Sequence, residues 1–282
     1  MEIVEERATI RRIVEEAKAA GRTVGLVPTM GYFHEGHLDL MRRARAECDL
    51  VVVTLFVNPT QFGEGEDLAA YPRDLERDSR MASSVGVDYI FHPGAREMYQ
   101  EGFATHVEVE GLSQIMCGAS REGHFRGVAT VVAKLFNIVP AQRAYFGQKD
   151  AQQLVIIRKM AADLDFAVEI VAVATRREDD GLAMSSRNTY LAPDERAQAV
   201  ALNQALERAQ ELVDGGERGA DRVAAAMEEV INAYPLVNIE YIAICDNILL
   251  RPLEELSGGV LIALAARVGK ARLIDNRVLE IE

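Results

Sequence analysis

Two histidines three residues apart, in PTMGYFHEGHLDLMRRAR (residues 28–45), stand where an apolar run gives way to an amphipathic helical pattern. The chain has only five histidines in 282 residues. A His-x-x-His pair can ligate zinc, but no cysteine or histidine-rich tract lies near to complete a tetrahedral set. Residues i and i+3 at a helix start share one face, and both imidazoles can point along the helix axis with its unsatisfied N–H groups. That end of a helix carries partial positive charge and binds phosphate. Gly36, between the two, removes the side chain that would hold a bulky anion away from the backbone. The anion-donor reading of His34 and His37 therefore stands ahead of the metal reading.

Three further stretches carry groups of the same kind. DGLAMSSRN (180–188) puts two hydroxyls and a guanidinium in a short glycine-flanked loop, suitable donors for phosphate oxygens, although a helix cap or turn would use the same residues. FGQKDAQQ (146–153) offers Lys149 as a point cation just after an apolar run, with Asp150 explicable as a helix cap. In FVNPTQF (56–62) and in the 146–153 stretch, Asn58, Gln61 and Gln153 are neutral amides. Such groups recognise a polar or carboxylate ligand without adding charge, or simply stabilise loops.

The elements that must position these groups are legible from periodicity. A helical pattern over about 3–20 buries Ile3, Ile10, Ile13, Val14 and Ala17 on one face. TVGLVP (23–28) and DLVVVTLFVNP (49–59) are apolar and β-branched, as parallel strands buried on both faces are. A glycine-containing loop at 58–72 leads to a charged helix at 73–86 and a strand at 87–93. A helix at 125–139, a strand at 143–147, a helix at 150–163 and a strand at 167–173 follow. Alternation at this spacing predicts an α/β, doubly wound parallel sheet of Rossmann type. The His turn, the Asn58 loop and the Lys149 turn each follow a strand, the edge where such sheets bind ligands. Beyond residue 175 two long helical patterns (193–216 and 219–234) precede strand patterns at 238–246 and 260–268, predicting a smaller α+β domain. The expected division is 1–175 and 176–282.

Composition narrows the function. Hydrophobic content of 49% with 27% charged residues suits a globular protein, and a net charge of -13 argues against non-specific nucleic-acid binding. An anionic ligand must then be held by local donors against an unfavourable global field. No apolar run reaches membrane-spanning length, and the first twenty residues are too charged for a signal peptide. Cys48, Cys117 and Cys245 are odd in number and scattered, which predicts reduced thiols and a cytoplasmic setting.

Together, the HxGH pair after the first buried strand, the later lysine and the Ser-Arg loop resemble the HIGH- and KMSKS-type elements of the nucleotidylyltransferase superfamily. Within it, PTMG-x-x-HEGH, FVNPTQF, HFRGVATVVAKLFNIV (124–139), FGQKDAQQL and DGLAMSSRN in this order resemble the pantoate–β-alanine ligase (pantothenate synthetase) family. The resemblance implies condensation of pantoate with β-alanine through a pantoyl adenylate, with Mg²⁺-ATP consumed and AMP and pyrophosphate released. It assigns Met30, Gly31, Tyr32, Phe33, His34, Glu35, Gly36 and His37 to ATP, with His34, His37 and Lys149 acting on the phosphates. Gly147, Gln148, Lys149 and Asp150 would hold adenosine and ribose, and Met184, Ser185, Ser186 and Arg187 would cover adenine and phosphates. Gln61, Gln153 and Asn58 would hold pantoate, and Gln61 would also reach β-alanine. Tyr71, Arg121 and His124 are implied as lid or supporting residues, the second domain as a lid, and a homodimer as the assembly. Arg176, also placed at the ATP site, departs from the family's usual apolar residue. Metal ligands are not assigned, with Asp78 as a candidate.

Overall fold

The computed structural model describes residues 1–63, 68–69 and 71–282. The part of the 58–72 loop at 64–67 and 70 lies outside the described residues. The chain divides into two compact units, Met1–Gly147 with Ile156–Val173, and Gln148–Val155 with Ala174–Glu282.

The first unit is built in βα order: β1 (Glu2–Val4), α1 (Arg7–Ala19), β2 (Val24–Thr29), α2 (Glu35–Glu47), β3 (Leu50–Leu55), α3 (Leu75–Ser84) and β4 (Tyr89–Phe91). Then come two one-turn helices, α4 (Ala95–Met98) and α5 (Cys117–Ser120), α6 (His124–Ile138), β5 (Arg143–Gly147), α7 (Ala151–Asp163, which belongs to this unit from Ile156 on) and β6 (Glu169–Val173). The six strands form one sheet in the order β1-β4-β3-β2-β5-β6, and every pairing is parallel. This is the doubly wound, Rossmann-like sheet that the alternation predicts. Every residue of β3 is buried, because the sheet is covered on both faces and no strand position there meets water. Leu38, Met41 and Ala44, spaced at three residues, turn one face of α2 onto a core with Val27, Val51, Val53 and Ile90.

The order reverses at β2, which has β3 on one side and β5 on the other. Ligands of open α/β sheets bind outside the carboxyl ends of strands at such a reversal. β2 runs there directly into the His turn, and β5 ends there at Gly147, where an added Cβ would meet nothing within 4 Å.

One expected boundary is corrected. The helix begins at Arg7, not at residue 3; Ile3 lies on β1, pairs with Ile90 of β4 and is 42% exposed. Its apolar side chain fitted the helical periodicity, but strand pairing with β4 takes the backbone.

In the second unit, β7 (Val237–Asp246), β8 (Gly258–Val268) and β9 (Ala271–Ile281) form an antiparallel sheet, with α9 (Ala201–Asp214) and α10 (Ala220–Asn232) supplying buried faces to the same core. Gly269, at φ +56°, begins the two-residue turn between β8 and β9, where a positive φ matches strand twist. The helical pattern at 193–216 is two helices, α8 (Pro193–Gln198) and α9, separated where Leu202 N–H tightens onto the Ala199 carbonyl. β9 was not anticipated: Asp275 and Asn276 interrupt its apolar alternation, and both residue types are depleted in strands.

Candidate active site

In the first unit the His turn is held by three devices. His34 is the N-cap of α2, in extended conformation, and its own backbone N–H donates to His37 Nδ1 at 3.3 Å. Because Nδ1 accepts, the neutral His37 ring carries its proton on Nε2, which makes that nitrogen a donor. The two rings lie with centroids 4.1 Å apart, tilted by 42°. Ahead of them, Gly31 and Tyr32 both have positive φ, +88° and +54°. Tyr32 is strained there, since a side chain disfavours the left-handed region.

The compensation comes from Asp78 on α3, 1% exposed, which accepts from the Tyr32 N–H at 2.6 Å and the Phe33 N–H at 2.8 Å. Arg77 adds a bond to the Phe33 carbonyl at 2.8 Å and lies over the Tyr32 ring at 5.1 Å. Burial pushes the Asp78 carboxyl above its ordinary range, and the two N–H donors and Arg77 pull it back in part. Asp78 is thus a clamp on the turn. As a magnesium ligand it is a poor candidate, because each of its oxygens already accepts a backbone N–H. Glu35, in the first turn of α2, pairs with Arg42 at 2.9 Å, which offsets the negative charge it would otherwise present there.

The amides of the Asn58 loop form a second cluster in this unit. Asn58 is the cap of the 3-10 turn Pro59–Gln61 and is 1% exposed. Its Nδ2 donates to the Gly127 carbonyl and to Gln61 Oε1, both at 3.1 Å, while its Oδ1 accepts from the Tyr99 hydroxyl at 2.8 Å and the Thr60 hydroxyl at 2.9 Å. These partners fix which way the Asn58 amide faces, and through it the Gln61 amide. Gln61 Oε1 is turned inward, and its Nε2 lies 3.0 Å from Met30 Sδ, a weak acceptor. Both amides are buried, and they differ in their partners: each of these Asn58 contacts is to a strong donor or acceptor, whereas the Gln61 NH₂ meets a weak sulfur acceptor.

His124, at the start of α6, bonds the Gln61 carbonyl through Nδ1 at 2.8 Å and meets Arg121 Nη1 through Nε2 at 3.0 Å. The arginine can only donate, so Nε2 accepts and Nδ1 carries the proton. Gly127 lets α6 approach the turn: a Cβ there would fall 2.3 Å from the Thr60 carbonyl oxygen. Tyr71 is nearly buried, edge-on to Phe62 at 6.0 Å.

In the second unit, Gln148, Lys149 and Asp150 form a 3-10 turn leading into α7, with Asp150 exposed, Lys149 half-buried and Gln153 half-buried in the first helical turn. Met184 to Arg187 enter the 3-10 helix Ser186–Tyr190, and Ser185 caps it by accepting from Arg187 N–H at 3.3 Å. The capping alternative for this stretch is thus realised, yet the Ser185 hydroxyl keeps its own proton to donate. Arg176 exposes its side chain and uses its carbonyl to accept from Met184 N–H at 2.9 Å, so it supports the loop through backbone. Asp180, whose carboxyl Arg196 holds below its ordinary range, anchors the loop's start with two bonds to that guanidinium, at 2.6 and 3.1 Å. Lys149, Ser185, Asn188 and Asp275 line one small cavity, so the lysine turn and the Ser-Arg loop adjoin.

Several supporting residues escaped the sequence: the Asp78 clamp, Tyr99, Gly127, Asp275 and Asn276. Gly127 alone carried a local signal, since a glycine inside a helix usually marks a close approach.

A profile of the pantoate-beta-alanine ligase family matches residues 2–278. The chain belongs to that family. It is 58% identical over 281 residues to the pantothenate synthetase of Heliobacterium modesticaldum, covering 100% of each chain, and 55% identical over 281 residues to that of Moorella thermoacetica, covering 100% of this chain and 99% of the relative. The crystal structure of pantothenate synthetase from Thermus thermophilus superposes with a TM-score of 0.93 at 50% identity, covering 98% of this chain and 99% of that one. A pantoate-beta-alanine ligase from Francisella tularensis, complexed with beta-gamma ATP and beta-alanine, superposes with a TM-score of 0.80 at 30% identity, covering 99% and 97%.

Proposed function

We propose that this chain condenses pantoate with β-alanine at the expense of ATP, through a pantoyl adenylate, and releases AMP and pyrophosphate. The observation that carries this reading is the His34–His37 pair on the N-terminus of α2, with His37 Nε2–H made a donor by the bond at Nδ1. It stands at the sheet's reversal, in a chain whose family membership spans residues 2–278.

In the first step a pantoate carboxylate oxygen attacks the α-phosphorus and pyrophosphate leaves. Charge gathers on the phosphate oxygens, so fixed donors do the electrostatic work and no protein nucleophile is needed. His34, His37 and Lys149 take that role. Met30 to His37, Gly147 to Asp150, the Arg176 backbone and Met184 to Arg187 hold the nucleotide. Gln61 offers its NH₂ to the pantoate oxygens, exchanging the poor sulfur acceptor for a charged one, with Gln153 as a second amide and Asn58 setting Gln61's orientation. In the second step the free amine of β-alanine, which Gln61 also reaches, attacks the acyl carbon. Its surplus proton passes to solvent, and AMP departs with the bridging oxygen.

Magnesium enters with ATP as part of the substrate and rests chiefly on the phosphates. The proposal includes a homodimer in the cytoplasm, as the family resemblance implies. No helix among the described residues is long and apolar enough to cross a membrane.

The test is isotopic. With pantoate and Mg²⁺ but no β-alanine, labelled pyrophosphate should exchange into ATP. After full turnover, ¹⁸O from the pantoate carboxylate should appear in AMP. Label in inorganic phosphate, with ADP as product, would mean an acyl phosphate and a different reaction class.

A further inference from the structure

Two adjacent polar residues on β9, Asp275 and Asn276, are 2% and 5% exposed. Burying such groups in a strand is costly unless they are fully bonded, and these are. Asn276 Nδ2 donates to two consecutive carbonyls, Gln148 O and Lys149 O, each at 2.9 Å, and its Oδ1 accepts from Gln148 Nε2 at 3.2 Å. Neighbouring side chains on a strand point to opposite faces, and Asp275 reaches a different segment. It takes Arg177 in a bidentate pair, at 2.6 and 2.9 Å, and that guanidinium in turn bonds the Gly181 carbonyl at 3.0 Å. Asn276's own N–H closes onto Asp275 Oδ1 at 2.8 Å. One dipeptide thus ties the turn that carries Lys149 to the loop that leads to Ser185 and Arg187.

We infer that Asp275 and Asn276 are positioning residues for the reaction: β9 pins the Lys149 turn and the Ser-Arg loop into one arrangement before substrate arrives. The inference rests on the adenylating reading proposed above. Its chemistry also explains the residue types. Two carbonyl acceptors require two donors on one side chain, which asparagine supplies and aspartate does not. A guanidinium requires the paired oxygens of a carboxylate.

The test is a double-mutant cycle on pyrophosphate–ATP exchange with Asn276→Asp and Lys149→Ala. Asn276→Asp keeps volume and turns both donated bonds into repulsions. It should lower exchange by about 10²-fold, the scale of a misplaced reacting group. In the Lys149→Ala background the same substitution should cost about tenfold less, because the lysine's share of the positioning is gone and only the nucleotide contacts of the turn remain to be displaced. Asn276→Ser, which keeps one donor, should recover part of the loss. Amide hydrogen exchange at residues 149–151 should accelerate in both variants without a matching change elsewhere in β9. An equal loss in both backgrounds, or unchanged exchange of those amides, would overturn the inference. If the wild type showed no pantoate-dependent exchange, the assigned reaction would fall, and the amide measurement would still decide whether Asn276 pins the turn.

Discussion

The His turn of the first unit and the Ser-Arg loop of the second both present donors at the start of a helix, yet they are secured over different chain distances. The His turn is fixed by His37, three residues on, and by Asp78, 45 and 46 residues on. The lysine turn and the Ser-Arg loop are fixed from β9, with bonds spanning 98 to 128 residues. The first arrangement is part of a βα unit and exists once that unit has formed. The second exists only when the end of the chain has returned. Perturbing the first should therefore damage chemistry locally, whereas the second can be loosened from a strand about a hundred residues away in sequence.

The largest effect that would test this contrast is at Lys149. Lys149→Ala removes one preorganised charge donor and should cut pyrophosphate exchange by about 10²–10³, roughly 2.7–4 kcal/mol, with an unchanged melting curve. Near wild-type turnover at saturating substrates would remove the second unit from the chemistry. His37 comes next. His37→Ala should lose activity on a similar scale, and His37→Asn should recover a part of it, since an amide can still donate. Zinc at one per chain in purified protein, with activity lost to a chelator, would replace the anion-donor reading by a metal one.

Gly127→Ala tests the amide cluster. Its methyl would overlap the Thr60 carbonyl, and overpacking of this kind costs about 1–3 kcal/mol. We expect a lower melting temperature and a raised KM for pantoate with ATP KM little changed. Equal changes in both would disconnect Gln61 from pantoate.

The smallest effect is in pH, and the two regions should differ in its sign. Asp78 has a raised pKa, so its contribution to folding stability is largest when protonated and falls as pH rises through that pKa. Acid therefore protonates one of the two Asp78 oxygens that accept from the Tyr32 and Phe33 N–H groups. Asp180 has a lowered pKa, so its contribution is present above the ordinary carboxylate range and is lost as pH falls through the lowered value. On acidification, exchange activity should decline first and melting temperature later. Simultaneous decline would mean that Asp78 does not act separately on the turn.

How much could be read in advance follows the same division. The parallel sheet was legible because β2 and β3 are continuous apolar runs and the helices between strands keep their period. The His pair was legible because spacing, glycine and strand-to-helix position are all local. Asp78 was visible only as a carboxylate, and its partners are backbone N–H groups, which leave no mark in sequence. The Tyr99–Asn58–Gln61 chain was hidden for a related reason: each link is a single hydrogen bond between distant residues. In β9 the polar pair obscured the strand itself. Ile3 misled in the opposite direction, an apolar residue with helical spacing that the backbone of β4 claims for a strand.

The order of strands also sets a sequence of events during folding. β2 meets β3 soon after it is made, with six residue pairs in register from Val24↔Leu50 to Thr29↔Leu55. Its other neighbour is far downstream, and only Gly25↔Arg143 and Leu26↔Ala144 join it to β5. Closing the longer loop costs more entropy, and the contacts that reward it are fewer. The β2–β3–β4 layer should thus acquire amide protection first in a pulse-labelling experiment, and β5 should dock late. The junction of β2 with β5 then closes after the β2–β3 pairing, and a nascent chain holds half a nucleotide site until its second half has been synthesised.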